Sequence, residues 1–175
     1  QPPDAREDVL AVAKALEAGK DVKDRVAAIR KKYEDVEDVM RAYKPRVKGG
    51  IGVGQVKAAD GIEAKLNELG KRHLTKAALV TEQADLMKMA YINVALARIT
   101  HAYPPAKPNP RNGKNAADWR RHADEMEKES KAFLDAARKG DPAALKRAVD
   151  VLDGRCNKCH ARLVRGSNPD RRLSN

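Results

Sequence analysis

The sequence predicts an all-α protein: an antiparallel up-down-up-down four-helix bundle with one or two extra short helices. Apolar residues recur at alternating spacings of three and four along several segments, the period of one helix face. The chain is 35% charged, which is typical of long amphipathic helices with solvated faces. Glycine and proline separate these segments, and 175 residues fit one domain, 1–175.

The first elements precede Pro45. An amphipathic helix is expected from about Asp4 to Ala18 and closes at Gly19. Asp21 is then the expected N-cap of a long helix that ends at Pro45. Its apolar face is Val22, Val26, Ile29, Tyr33, Val36, Met40 and Tyr43.

A glycine-rich run at 49–54 follows. It lacks the G-x-x-x-x-G-K-[ST] pattern of a phosphate-binding loop and follows no strand, so a turn-forming connection is predicted. A short helix from about Gly61 to Leu69 comes next, and Gly70 breaks it.

Three more long helices are expected. Thr75 caps one that runs to about Ala102, and the nearly all-apolar segment 84–99 predicts that it is the most buried. Asn115 caps the next, and Gly140-Asp141-Pro142 ends it and starts the last. The apolar face of the last helix is Leu145, Val149, Leu152, Cys156, Cys159 and Leu163.

The run Cys156-Asn157-Lys158-Cys159-His160 is the part of the sequence that indicates a chemical function. C-x-x-C-H is the attachment signature of c-type haem. Two thiols three residues apart lie on one side of a helix, where they can form thioethers to the two haem vinyl groups. His160 then offers an imidazole nitrogen to the iron as the proximal axial ligand. One covalent haem c is predicted.

Other uses of the two cysteines are less well supported. A structural zinc site needs two further ligands, and no other Cys exists, while His73, His101 and His122 form no paired H-x₃₋₅-H. A thioredoxin-like dithiol needs the motif to open a helix after a strand. A disulfide or two idle thiols are the remaining alternatives.

The helices and the motif together make the chain resemble the cytochrome c′ family of four-helix-bundle c-type cytochromes. The resemblance covers about 21–165 and is specific at 154–160. Segment 1–20 is an N-terminal extension, 46–74 an insert and 166–175 a flexible tail. Leu163 and Val164 stand where the family usually has an aromatic and a basic residue.

The distal side of the haem decides the coordination state. The family has five-coordinate members and six-coordinate members with a Met on the first helix. In an antiparallel bundle, the position of His160 predicts that the haem lies within about 10 Å of one end. Val26 and Ile29 are expected to form an apolar distal wall there, and Tyr33 to lie over the haem without binding it. A five-coordinate iron, or one with a weakly held sixth ligand, is expected.

Several side chains remain candidates for that sixth ligand. Met40 lies about 27 Å along its helix, which favours a core role. The candidates are Met89, His101, His122 and Met126.

The net charge of +11 favours an acidic redox partner protein. The charges are spread along the chain and aromatic residues do not interleave with them, which argues against nucleic-acid binding. The apolar stretches are too short to cross a bilayer. Haem c implies export, and the opening Gln1-Pro2-Pro3-Asp4 has no signal segment, so a mature periplasmic or otherwise exported protein is expected.

The haem motif and the helical fold together predict a function. One haem in a helical bundle favours one-electron transfer by an exported cytochrome that is not an enzyme. The alternatives are a five-coordinate protein that binds NO or CO, for sensing or detoxification, and a haem subunit of a larger assembly or a homodimer. A peroxidase needs a distal acid/base pair, and no His/Arg pair is evident at the required level.

Overall fold

The computed structural model describes residues 4–55, 60–107 and 115–159, with the side chains of the last helix described as far as Arg155. Within these ranges every regular element is helical, which confirms the all-α prediction. The α-helices are α1 (Arg6–Glu17), α2 (Lys23–Lys32), α3 (Val36–Met40), α4 (Ile62–Lys71), α5 (Lys76–His101), α6 (Ala116–Lys139) and α7 (Pro142–Cys159). Two single-turn 3₁₀ helices, Arg41–Tyr43 and Arg46–Lys48, follow α3.

Side-chain caps start the long helices where the sequence predicts them. The Thr75 hydroxyl accepts from the Ala78 amide at 3.1 Å. The Asn115 side chain accepts from two amides at the start of α6, and Asp141 does the same for α7. Gly140 ends α6 with a left-handed φ of 63°. These local hydrogen bonds satisfy amides that a helix leaves unpaired, which confirms the three predicted starts.

Helices α5, α6 and α7 form the centre of the molecule, each antiparallel to the next. The Gln83 side chain at the start of α5 donates to the Ala137 carbonyl at the end of α6, at 2.9 Å. At the other end, the Trp119 indole donates to the Thr100 carbonyl at 2.6 Å. Helix α7 then returns along α6. The prediction that α5 is the most buried helix agrees with its twelve buried residues.

The predicted long helix before Pro45 is wrong. Tyr33 leaves the helical region with φ −113° and ψ 123°, and Asp35 then caps the separate helix α3. The Tyr103 hydroxyl, from beyond the end of α5, donates to the carbonyls of Ile29 and Tyr33 at 3.2 and 2.9 Å. The Tyr33 carbonyl is thus satisfied from a distant part of the chain and not by a continuing helix. Beyond the break, Val39 and Ala42 are buried, and the predicted apolar face included neither.

The outer helices complete the core. Val9 and Val12 of α1 are fully buried, and α1 packs along α5. The segment expected as an N-terminal extension therefore contributes to the central core. Helix α4 packs on α7, where Leu69, Leu145 and Val149 line a common narrow space.

The glycine-rich run forms a loop, as predicted. The Gly50 amide donates to the Pro45 carbonyl at 3.0 Å, and Gly52 has a left-handed φ of 78°. An ion pair between Arg46 and the buried Asp60 closes the loop across its base. Glycine is needed at position 50 because a Cβ there would overlap the Lys44 carbonyl.

Replacing Gly50 with alanine is expected to lower the free energy of unfolding by about 1–3 kcal/mol, since the added methyl must push the Lys44 carbonyl aside. Urea unfolding followed by circular dichroism measures this loss. Gly70→Ala is the matched control, because nothing lies within 4 Å of a Cβ at this helical position. The control should raise stability by about 0.5–1 kcal/mol. Equal stability of Gly50→Ala and the wild type would contradict the loop packing.

Candidate functional site

The attachment motif begins on the last turns of α7. The backbone of Cys156 and Cys159 is helical, which confirms the predicted helix as far as Cys159. The side chains of these two cysteines, together with His160, lie outside the described residues. Haem attachment and proximal ligation therefore stay predictions.

The residue before the first cysteine ties α7 to α6. Arg155 Nη1 lies 2.9 Å from Glu125 Oε2, in a charge-assisted hydrogen bond. His122 Nδ1 lies 3.8 Å from the same carboxylate oxygen, and only 9% of the His122 side chain is exposed. The three side chains form a cluster, here called the Glu125 cluster, directly beside the start of the motif.

The Glu125 cluster lies at the end of the bundle where α5 finishes. His101, the last residue of α5, has Nε2 3.6 Å from the Asp124 carboxylate on α6. Trp119 contacts the same turn of α5 through the Thr100 carbonyl. The last turns of α7, the first turns of α6 and the end of α5 thus meet at one end, as the antiparallel arrangement predicts.

The four candidate sixth ligands lie at different distances from the end of the bundle that carries the motif. His122 and Met126 flank Glu125 on α6, at the end that carries the motif, and Met126 is half-buried against the core. His101 is at the same end, with 43% of its side chain exposed. Met89 is buried in α5 twelve residues before His101, roughly 18 Å along the axis. Which of them binds iron stays a prediction.

The residues expected to form the distal wall lie on and just after α2. Ile29 and Tyr33 are buried and Val26 is partly buried. The Tyr33 hydroxyl donates to the Asp8 carboxylate at 2.6 Å and to the Asp4 carbonyl at 2.9 Å, so α1 engages it. Burial, followed by the neighbouring Asp8, raises the pKa of the Tyr33 hydroxyl. Their role beside a haem stays a prediction.

One buried polar residue was missed by the sequence reasoning. Asn93 of α5 has no exposed surface, and neither Oδ1 nor Nδ2 has a hydrogen-bond partner among the described residues. The buried hydroxyls of Thr100 and Ser130 differ, because each donates to a carbonyl of its own helix at 2.7 Å. An asparagine within the apolar segment 84–99 was the available signal. A buried amide without partners is costly.

The unpaired side-chain amide of Asn93 is relevant to whether a cofactor could bind between the helices. Burying Asn93 is compensated only if a water molecule or the polar edge of a bound group reaches it. The backbone of both cysteines lies on the last turns of α7, which packs along α6. The orphaned amide of Asn93 is compatible with a bound group between the helices, and that this group is haem stays a prediction.

Comparisons with protein-family models, curated proteins and solved structures found no match to this chain. Among the side chains that the structure describes, no three His, Cys, Asp or Glu groups gather as they would around a metal ion. In the same part of the chain, no helix has the length and apolar character needed to span a membrane.

Proposed function

We propose that this chain is an exported monohaem c-type cytochrome, similar to cytochrome c′, that transfers one electron. The observation that carries the proposal is the C-x-x-C-H motif, whose two cysteines lie on the helical backbone of α7 at the spacing of its apolar residues. Cys156 and Cys159 would hold the haem through thioethers, and His160 would bind the iron on the proximal side. When bound, the haem iron supplies the electron exchange by alternating between ferric and ferrous states.

The bundle supplies the walls of this site. We propose an up-down-up-down arrangement in which α5, α6 and α7 form three sides and the shorter helices α1 to α4 complete the fourth. Contacts of α4 with α7, and of α2 and α3 with α5, support that placement. The walls exclude water from the haem, which raises the influence of every charge close to it.

Charge supports a protein partner for the electron transfer. The net charge of +11 would steer an acidic redox protein towards the chain at low ionic strength. The end of α2 adds a local basic group, since Arg30, Lys31 and Lys32 all lie in its last turn.

Binding of NO or CO is the second candidate function. Val26 and Ile29 have no ligating atoms, and the Tyr33 hydroxyl is engaged by Asp8. If these residues form the distal wall, the iron has an open sixth position that admits small neutral gases.

Visible absorption spectroscopy tests both functions. The protein would be expressed in a host that attaches haem c in its periplasm, and spectra taken as purified, after reduction, and after reduction with CO. Covalent haem that survives acid–acetone extraction is expected, and its absence would overturn the proposal. A broad high-spin reduced spectrum that shifts with CO supports gas binding. Sharp low-spin bands that do not change when CO is added identify a pure electron carrier.

A further inference from the structure

We infer that Glu125 and Arg155 act on the reduction potential of the haem in opposite directions, with Glu125 lowering it and Arg155 raising it. This inference rests on the proposed function. Arg155 directly precedes Cys156, and Glu125 reaches it from α6 across a 2.9 Å contact. Both charges therefore lie beside the segment that would carry the cofactor.

The sign of each effect follows from electrostatics. The ferric state carries one more positive charge than the ferrous state, so a nearby carboxylate stabilises the ferric state and lowers the potential. A guanidinium has the opposite effect. The side chains of Arg155 and Glu125 are 37% and 29% exposed, so solvent screens them only in part.

The pair also positions the motif. A charge-assisted bond holds its two partners at a fixed distance, and here it joins residues thirty positions apart in the chain. His122 lies against the same carboxylate and is nearly buried, so the cluster docks α7 onto α6 immediately before the first thioether position. Both residues are positioning residues, because neither is placed in contact with the iron.

Protein-film voltammetry on the haem-loaded protein tests the inference. Glu125→Gln is expected to favour the ferrous state by about threefold, and Arg155→Gln to favour the ferric state by about as much. At 59 mV per tenfold change for one electron, each shift is about 30 mV, in opposite directions. The double variant should return close to the wild-type potential, since both charges are removed together.

Asp124→Asn is the matched control. It removes the same charge from the adjacent residue, but the Asp124 side chain is 68% exposed and faces His101. A smaller shift is expected because water screens it more strongly.

The outcomes separate the two claims. Three results would overturn the inference: unchanged potentials in both single variants, shifts of the same sign, or an equal shift in Asp124→Asn. Each of these results leaves the proposed function standing as long as the wild type carries covalent haem. A wild type without covalent haem rejects the proposed function itself. Circular dichroism of each variant reports whether a shift arises from altered folding.

Discussion

Replacing Cys156 and Cys159 together with serine should abolish covalent haem. A thioether forms from a thiol sulfur and a haem vinyl group, and a serine hydroxyl does not replace it in that reaction. The double variant should give no haem stain after denaturing electrophoresis, whereas the wild type stains strongly. Each single variant keeps one thiol, so it should retain covalent haem at reduced yield.

Asn157→Ala is the control for the cysteine experiment. Residue 157 occupies one of the two unspecified positions of C-x-x-C-H, so the attachment chemistry does not use its side chain. Haem stain should persist in this variant. Stain that persisted in the double serine variant would show that the cysteines are not the attachment points, whatever the cofactor.

The second large effect is expected at Phe133, which has no exposed surface and lies in α6 within the main core. Phe133→Ala should lower the free energy of unfolding by about 3–5 kcal/mol, since it removes buried apolar area and leaves a cavity that the neighbouring helices only partly fill. Urea unfolding followed by far-ultraviolet circular dichroism gives the measurement.

Lys128→Ala on the same helix is the control for Phe133. Lys128 is exposed, so its replacement should change stability by no more than about 0.5 kcal/mol. A loss below about 1 kcal/mol in Phe133→Ala would mean that α6 is not packed into the core as described, and the proposed haem site would lose the packing on which it depends.

The start of each long helix was predictable because its cause is local. Thr75, Asn115 and Asp141 each bond to amides two or three residues ahead, and such short-range contacts are visible in a single sequence. The turn at the glycine-rich run was also predictable, because its cause is local too. The C-x-x-C-H motif is equally local, since one helical turn separates its cysteines.

The break after α2 could not be predicted in this way. As far as Tyr33 the apolar spacing matches the core, since Val22, Ile29 and Tyr33 are buried. Beyond the break the buried residues are Val39 and Ala42, which that spacing does not include. The break is joined to Tyr103, which donates to the Tyr33 carbonyl from seventy residues further along the chain. No local pattern contains that contact.

The helical class, three helix starts and the helical backbone of the cysteine pair follow from the sequence alone, because each depends on neighbours within one or two turns. It takes the folded structure to show that α1 joins the core and that Glu125 meets Arg155. The same is true of Asn93, which is buried with no hydrogen-bond partner among the described residues. Those outcomes depend on how distant helices pack, and packing joins residues that no spacing along the chain relates.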